Sequence, residues 1–172
     1  MRTRRGLEGR SSFMAYVDHQ VDLFEFKIGI TMRVIYTGGT FDLFHAGHVS
    51  FLRKCRELAG SDGHVIVAVN RDAFVARYKR PPIMTLDERI ACLRAVTYVN
   101  TVVVNIGDED SKQAIECVRP THLVIGDDWK DRDYHGQMRF TKEWLEDRGI
   151  ELVYVPYTTG ISTTELLQRH RA

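Results

Sequence analysis

The chain has 172 residues, 44% hydrophobic and 27% charged, with a formal net charge of +1. That size suits one domain with a sizeable core, and the composition is ordinary for a soluble globular protein. A charge so close to zero gives no global electrostatic case for nucleic acid or membrane binding, so affinity for phosphate must come from a local cluster; nor does any apolar run approach the ~18–20 residues that span a bilayer.

Residues 1–31 differ from the rest. Arg2, Arg4, Arg5 and Arg10 make the start basic, but no apolar h-region follows, which argues against a secretory signal. Val21 to Ile30 has the pattern of a strand or a short helix. The segment reads as a variable extension or an upstream start, with an arm packed on a partner subunit as the alternative. The domain proper is expected over 32–172.

From there apolar runs alternate with amphipathic segments in βαβ order. Strands are expected at Val34–Thr37, His64–Asn70, Thr101–Val104, His122–Ile125 and Glu151–Val155. Helices are expected near 48–59, 85–96, 111–118, 137–148 and 163–170. Thr85-x-x-Glu88 and Ser162-x-x-Glu165 have the spacing of capping boxes. Gly149 reads as a C-cap, and Pro81-Pro82 forbids a regular helix in the loop 77–84. The sum is an α/β fold: a Rossmann-like single domain with a five-stranded parallel sheet and helices on both faces. Cys55, Cys92 and Cys117 are widely spaced and sit in helix-like segments, the pattern of reduced, buried thiols in a cytosolic protein rather than of disulfides or a zinc site.

The most informative stretch is Gly38-Gly39-Thr40-Phe41-Asp42-Leu43-Phe44-His45-Ala46-Gly47-His48-Val49. It reads strand, glycine turn, helix, and α/β sheets bind ligands at the carboxyl ends of strands and anions at helix N-termini. His45 and His48, three residues apart, share one face of the first helical turn, and Gly47 between them allows close approach to the backbone. Two imidazoles beside a helix N-terminus form a site for a phosphate chain. Thr40 can add a hydroxyl and an N–H. Asp42 reads equally as a cap for the following helix or as a functional carboxylate.

Three further segments lie at strand ends or helix starts. In Val69–Arg80, Asp72 reads as an acceptor-orienting residue or a cap, and Lys79 can reach a triphosphate as a point charge, whereas Arg77 and Arg80 read equally as solvated charge or as part of the site. In Val124–Lys130, a glycine-acidic-aromatic cluster suits a site better than a core, with Trp129 offering a flat face. In Gly160–Thr164, hydroxyls and free N–H groups open the last helix.

His-x-Gly-His after Gly-Gly-Thr-Phe-Asp resembles the signature of the nucleotidylyltransferase superfamily, and the resemblance covers residues 33–170. It implies transfer of a nucleoside monophosphate from a triphosphate to a phosphorylated acceptor, with release of pyrophosphate. It implies catalytic roles for His45, His48, Lys79 and Arg89. Nucleotide contacts are implied at Gly39, Thr40, Phe41, His45, His48, Gly126, Ser162, Thr163 and Thr164, and acceptor contacts at Asp42, Asp72, Asp128 and Trp129. It implies no dedicated metal ligands, Mg²⁺ arriving on the triphosphate. Homodimers are common in the family, which makes a second copy of the chain a candidate partner.

Two branches compete for the substrates. Gly126-Asp127-Asp128-Trp129 and Gly160-Ile161-Ser162-Thr163-Thr164 look like glycerol-3-phosphate cytidylyltransferases, which use CTP. Val69-Asn70-Arg71-Asp72-Ala73 followed by Lys79 looks like the adenylyltransferase domain of ADP-heptose synthases, which use ATP. The cytidylyl reading is preferred because its matches are longer and less generic. It departs from that branch where Thr97 and Tyr157 stand in place of arginines, so that either the acceptor or the phosphate grip differs, or Arg94 or Arg139 substitutes from elsewhere. A non-catalytic nucleotide-binding protein is the reading from a different class; the intact Thr40, His45, His48, Lys79 and Arg89 argue against it.

Overall fold

The computed structural model of the chain describes residues 32–130, 133–156 and 158–171. The expectations for residues 1–31 and for Tyr157 fall outside them. Five β-branched runs form strands: β1 (Val34–Gly39), β2 (His64–Asn70), β3 (Thr101–Asn105), β4 (His122–Gly126) and β5 (Glu151–Val155). All their pairings are parallel, in the order β3-β2-β1-β4-β5. The strand positions match the sequence expectation, with β1, β3 and β4 running on at their carboxyl ends.

Alternate side chains of each strand enter opposite cores. Ile35, Val65, Val67, Val102, Val104 and Val124 pack against Leu52 and Cys55 of α1 (Ala46–Ala59) and Ile90 and Leu93 of α3 (Leu86–Arg94). Tyr36, Ile66, Ala68, Val103, Leu123 and Ile125 pack against Ala114, Ile115 and Val118 of α4 (Lys112–Val118) and Leu145 of α6 (Lys142–Glu146). A parallel sheet buried on both faces needs such continuous apolar strands. Thr85 caps α3 with the full reciprocal box to Glu88. The cysteines are free, as expected, but only Cys55 is buried, where burial pushes its thiol up to about 12; Cys92 and Cys117 are partly exposed. Among the described residues, no helix is long and apolar enough to cross a membrane.

Two expectations are corrected. A helix not anticipated, α2 (Asp72–Tyr78), fills the first part of the 69–80 segment. Its charged C-terminal end hides the buried pair Phe74 and Val75 that pins it to the core. The single helix expected over 137–148 is two, α5 (Tyr134–Met138) and α6. Arg139 turns into the left-handed region (φ 55°) to end the first, and Thr141 Oγ1 accepts from the N–H of Trp144 to start the second. The apolar periodicity runs through this break, so the pattern alone does not reveal it.

The topology reverses at β1, which has β2 on one side and β4 on the other. The register of β1 with β4 pairs Ile35 with His122 and Tyr36 with Leu123 and stops there. Thr37–Gly39 and Val124–Gly126 therefore diverge, and the crevice between them is the switch point where this class of sheet binds ligands.

Candidate active site

A cleft of about 800 Å³ opens at that crevice, within the ~300–1,000 Å³ typical of ligand pockets. Its floor is the carboxyl end of β1, where Gly38 and Gly39 are strand residues rather than the turn expected from the sequence, and Thr40 just beyond it. One wall is the start of α1, a second the loop after α2, a third Gly126, Asp128 and Trp129, and a fourth the start of α7 (Thr163–Arg171).

The α1 wall is a capping box built from the two histidines. His45 is the N-cap, and its Nδ1 accepts from the N–H of Gly47 at 3.2 Å; His48 Nδ1 accepts from the N–H of His45 at 3.4 Å. A backbone N–H only donates, so both Nδ1 atoms are unprotonated and each neutral ring carries its proton on Nε2. The rings stack with centroids 3.8 Å apart, and His48 also lies against Phe44 and Phe41. Burial pushes His48 down to about 3, helped by the neighbouring His45 and Lys79. Burial likewise lowers His45, although Glu165 opposes it. Two stacked neutral imidazoles at a helix N-terminus supply preorganised N–H donors without charge repulsion between them. Gly47 permits this packing. A Cβ there would meet the His45 ring at 3.0 Å and the carbonyl oxygen of Ile161 at 3.3 Å.

The second wall carries Lys79. Its Nζ lies 5.7 Å from the Tyr78 ring centroid, and partial burial, with Arg80 next to it, holds its pKa below the ordinary lysine value. The loop is tied to the turn after β1 by Asp42. The buried carboxylate accepts from the N–H groups of Ile83 (3.0 Å) and Met84 (2.9 Å) and from the Arg80 guanidinium (2.9 Å). Burial raises the Asp42 pKa, but the hydrogen bonds from Met84, Ile83 and Arg80 outweigh it and keep the carboxyl below its usual range.

Most of the residues singled out in the sequence line this cleft: Gly39, Thr40, Phe41 and Asp42; His45, His48 and Lys79; Gly126, Asp128 and Trp129; Thr163 and Thr164. Four assignments change. Arg89 is fully buried and outside the cleft. Its guanidinium donates to the carbonyls of Thr40 (2.6 Å), Asn70 (2.9 Å) and Met84 (3.2 Å) and pairs with Asp72, so it clamps loops rather than touching a substrate. Asp72, held by Arg89 and by the N–H of Leu86, is outside the cleft lining as well. Ser162 lies off the cleft and caps α7, its Oγ accepting from the N–H of Glu165 at 3.1 Å. Asp42 lines the cleft, but it neither caps α1, a task His45 takes, nor offers free oxygens to an acceptor.

Of the two alternatives for the missing pair, substitution by Arg94 or Arg139 does not fit the structure. Arg94 and Arg139 are exposed and outside the cleft, and Thr97 is on the surface. The arginines that do line the cleft are Arg80 and Arg171. Arg171 lies seven residues after Thr164, two helical turns along the same face. That spacing was visible in the sequence, and the wall it belongs to was not. Tyr78 was also missed; its hydroxyl is 3.5 Å from Thr40 Oγ1 and 3.4 Å from Asn70 Nδ2.

The family model for cytidylyltransferase-like proteins matches residues 36–169. The chain belongs to the cytidylyltransferase-like family. The Bacillus subtilis glycerol-3-phosphate cytidylyltransferase is 32% identical over 135 residues, 78% of this chain and 95% of that protein. The bifunctional protein HldE of Halorhodospira halophila is 35% identical over 142 residues, 81% of this chain, and the chain spans only 28% of its length. The FAD synthase of Methanopyrus kandleri is 32% identical over 117 residues, 68% of this chain and 74% of that protein. A solved structure of a lipopolysaccharide core biosynthesis protein from Thermoplasma volcanium superposes with a TM-score of 0.59 at 20% identity, covering 74% of this chain and 98% of that one. At that identity the likeness concerns the fold.

Proposed function

We propose that this member of the cytidylyltransferase-like family is a nucleotidyltransferase of the cytoplasm. It joins a phosphate oxygen of a small phosphorylated acceptor to the α-phosphorus of a nucleoside triphosphate and releases pyrophosphate. The observation that carries the reading is the His45–His48 capping box, whose two neutral Nε2–H donors stand beside Lys79 in one cleft. In phosphoryl-type transfer, positioning and charge stabilisation supply most of the rate. His45 and His48 donate to the α-phosphate oxygens as charge builds there, and Lys79 neutralises the departing pyrophosphate. Thr40, Thr163 and the N-terminus of α7 hold the rest of the chain of phosphates. Trp129 and Asp128 face the acceptor side. Mg²⁺ would take oxygen ligands and keep several waters, and would arrive on the triphosphate; Asp42 and Asp128 are the carboxylates on the cleft wall.

For the substrates we favour CTP and a polyol phosphate such as glycerol 3-phosphate. Support comes from the match to a glycerol-3-phosphate cytidylyltransferase over 95% of its length. A second reading, ATP with a sugar phosphate, draws on the Val69–Ala73 segment and on the slightly higher identity, 35%, to HldE. Pyrophosphate release, measured for the four common triphosphates against a panel of polyol and sugar phosphates, separates them. Turnover with CTP and glycerol 3-phosphate is expected. Turnover confined to ATP and a heptose 1-phosphate would overturn the cytidylyl reading, and nucleotide binding without pyrophosphate release would overturn catalysis altogether.

A further inference from the structure

Asp42 sits between two non-glycine residues in the left-handed region, Phe41 (φ 54°) and Leu43 (φ 46°). Such backbone is costly and persists only where its surroundings over-determine it. What over-determines it here is a set of contacts to three walls of the cleft. The carboxylate of Asp42 holds Arg80, Ile83 and Met84 of the Lys79 loop. Its carbonyl accepts from Thr163 Oγ1 at 2.9 Å, at the first residue of α7. The chain then runs within three residues to His45, the N-cap of α1. On the other side, the carbonyl of Thr40 is gripped by buried Arg89, which also grips Met84 in the Lys79 loop.

We propose that Asp42 is the positioning residue of the triphosphate site. Its carboxylate sets how far Lys79 stands from the histidine pair, and its carbonyl sets where Thr163 and the start of α7 meet them. The inference rests on the triphosphate reading of the cleft and adds what holds its parts in register. Neither a solvated lysine nor a proline-rich loop fixes its own position; Pro81 and Pro82 remove two backbone donors, and the N–H groups just beyond them are the ones Asp42 takes. Asp42→Asn keeps the size of the side chain but replaces one acceptor oxygen with an amide donor facing donors.

Steady-state kinetics at varied nucleotide on Asp42→Asn, Lys79→Ala and the double variant test this. Asp42→Asn is expected to lower kcat/KM for the triphosphate by ~10- to 100-fold, the scale of hydrogen bonds to a charged group, with KM for the nucleotide rising. In the Lys79→Ala background the same change is expected to cost less than about threefold, because the carboxylate then has no cation to place. An equal loss in both backgrounds, or wild-type kinetics for a folded Asp42→Asn, would overturn the proposal. If Lys79→Ala alone keeps wild-type kinetics, the triphosphate reading falls and takes the proposal with it. Should Asp42→Asn fail to fold, Arg80→Met removes one partner and leaves Ile83 and Met84 on the carboxylate; the same non-additivity with Lys79→Ala is expected, and full additivity overturns it.

Discussion

His45 has two jobs that can be separated by choosing what replaces it. Its Nδ1 caps α1 by accepting from Gly47, and its Nε2–H faces the cleft. Removing an N-cap acceptor costs about 1 kcal/mol, which in a 172-residue chain lowers Tm by ~2–4 °C. Removing one preorganised donor to a transition-state oxygen costs ~10²–10³ in rate, about 2.7–4 kcal/mol. His45→Ala loses both. His45→Asn restores a favoured cap acceptor close to the helix but reaches no phosphate, so Tm is expected to recover while kcat stays down by at least ~10². His45→Gln extends an amide N–H toward the place of Nε2 and caps poorly, so part of the rate is expected to return without the Tm. Differential scanning calorimetry beside pyrophosphate-release kinetics gives both readouts on the same samples. If rate simply tracks Tm across the three variants, the ring is a helix cap and the catalytic argument fails. Near-wild-type turnover in His45→Asn would refute it outright.

Gly47→Ala would press a Cβ to 3.0 Å from the His45 ring and 3.3 Å from the Ile161 carbonyl; kcat should fall about tenfold or more with Tm shifted little, and an unchanged kcat would show that the ring tolerates displacement. Arg89→Met leaves the carbonyls of Thr40, Asn70 and Met84 without this donor and Asp72 with the N–H of Leu86, so chemical denaturation should report a loss on the order of 3 kcal/mol; loss of activity at wild-type stability would restore Arg89 to the catalytic set. His48, down at about 3 when folded against an ordinary 6.5, binds fewer protons folded than unfolded across that window. Stability is therefore fully present above pH 6.5 and declines as pH falls, by up to about 2 kcal/mol at pH 5. His48→Asn should flatten that slope in urea titrations at pH 7 and 5, and an unaltered slope would place the pH dependence elsewhere.

The sequence made the sheet and the histidine motif readable because both are local. Val34–Tyr36 and His64–Asn70 are strands by composition, and His45-x-x-His48 declares its helical turn by spacing. What a motif gives is identity, and direction comes from tertiary contacts. The resemblance implies a catalytic role for Arg89, yet its side chain turns inward to three carbonyls. Asp42 looked like a cap or a ligand for a substrate, and a loop forty residues away claims it instead. The helix α2 was missed because its burial rests on Phe74 and Val75 alone. The break at Arg139 depends on a left-handed backbone, which arginine does not announce. Arg171 lines the cleft because α7 forms one of its walls, which nothing in the local pattern says.

The account stands on the α-phosphorus being the reacting centre. ³¹P NMR of the wild-type protein with CTP, Mg²⁺ and glycerol 3-phosphate follows that atom directly. The prediction is one new diphosphate diester carrying the former α-phosphorus for each pyrophosphate released. Formation of a nucleoside diphosphate with orthophosphate or a γ-phosphorylated acceptor, with any triphosphate and acceptor tried, would contradict it.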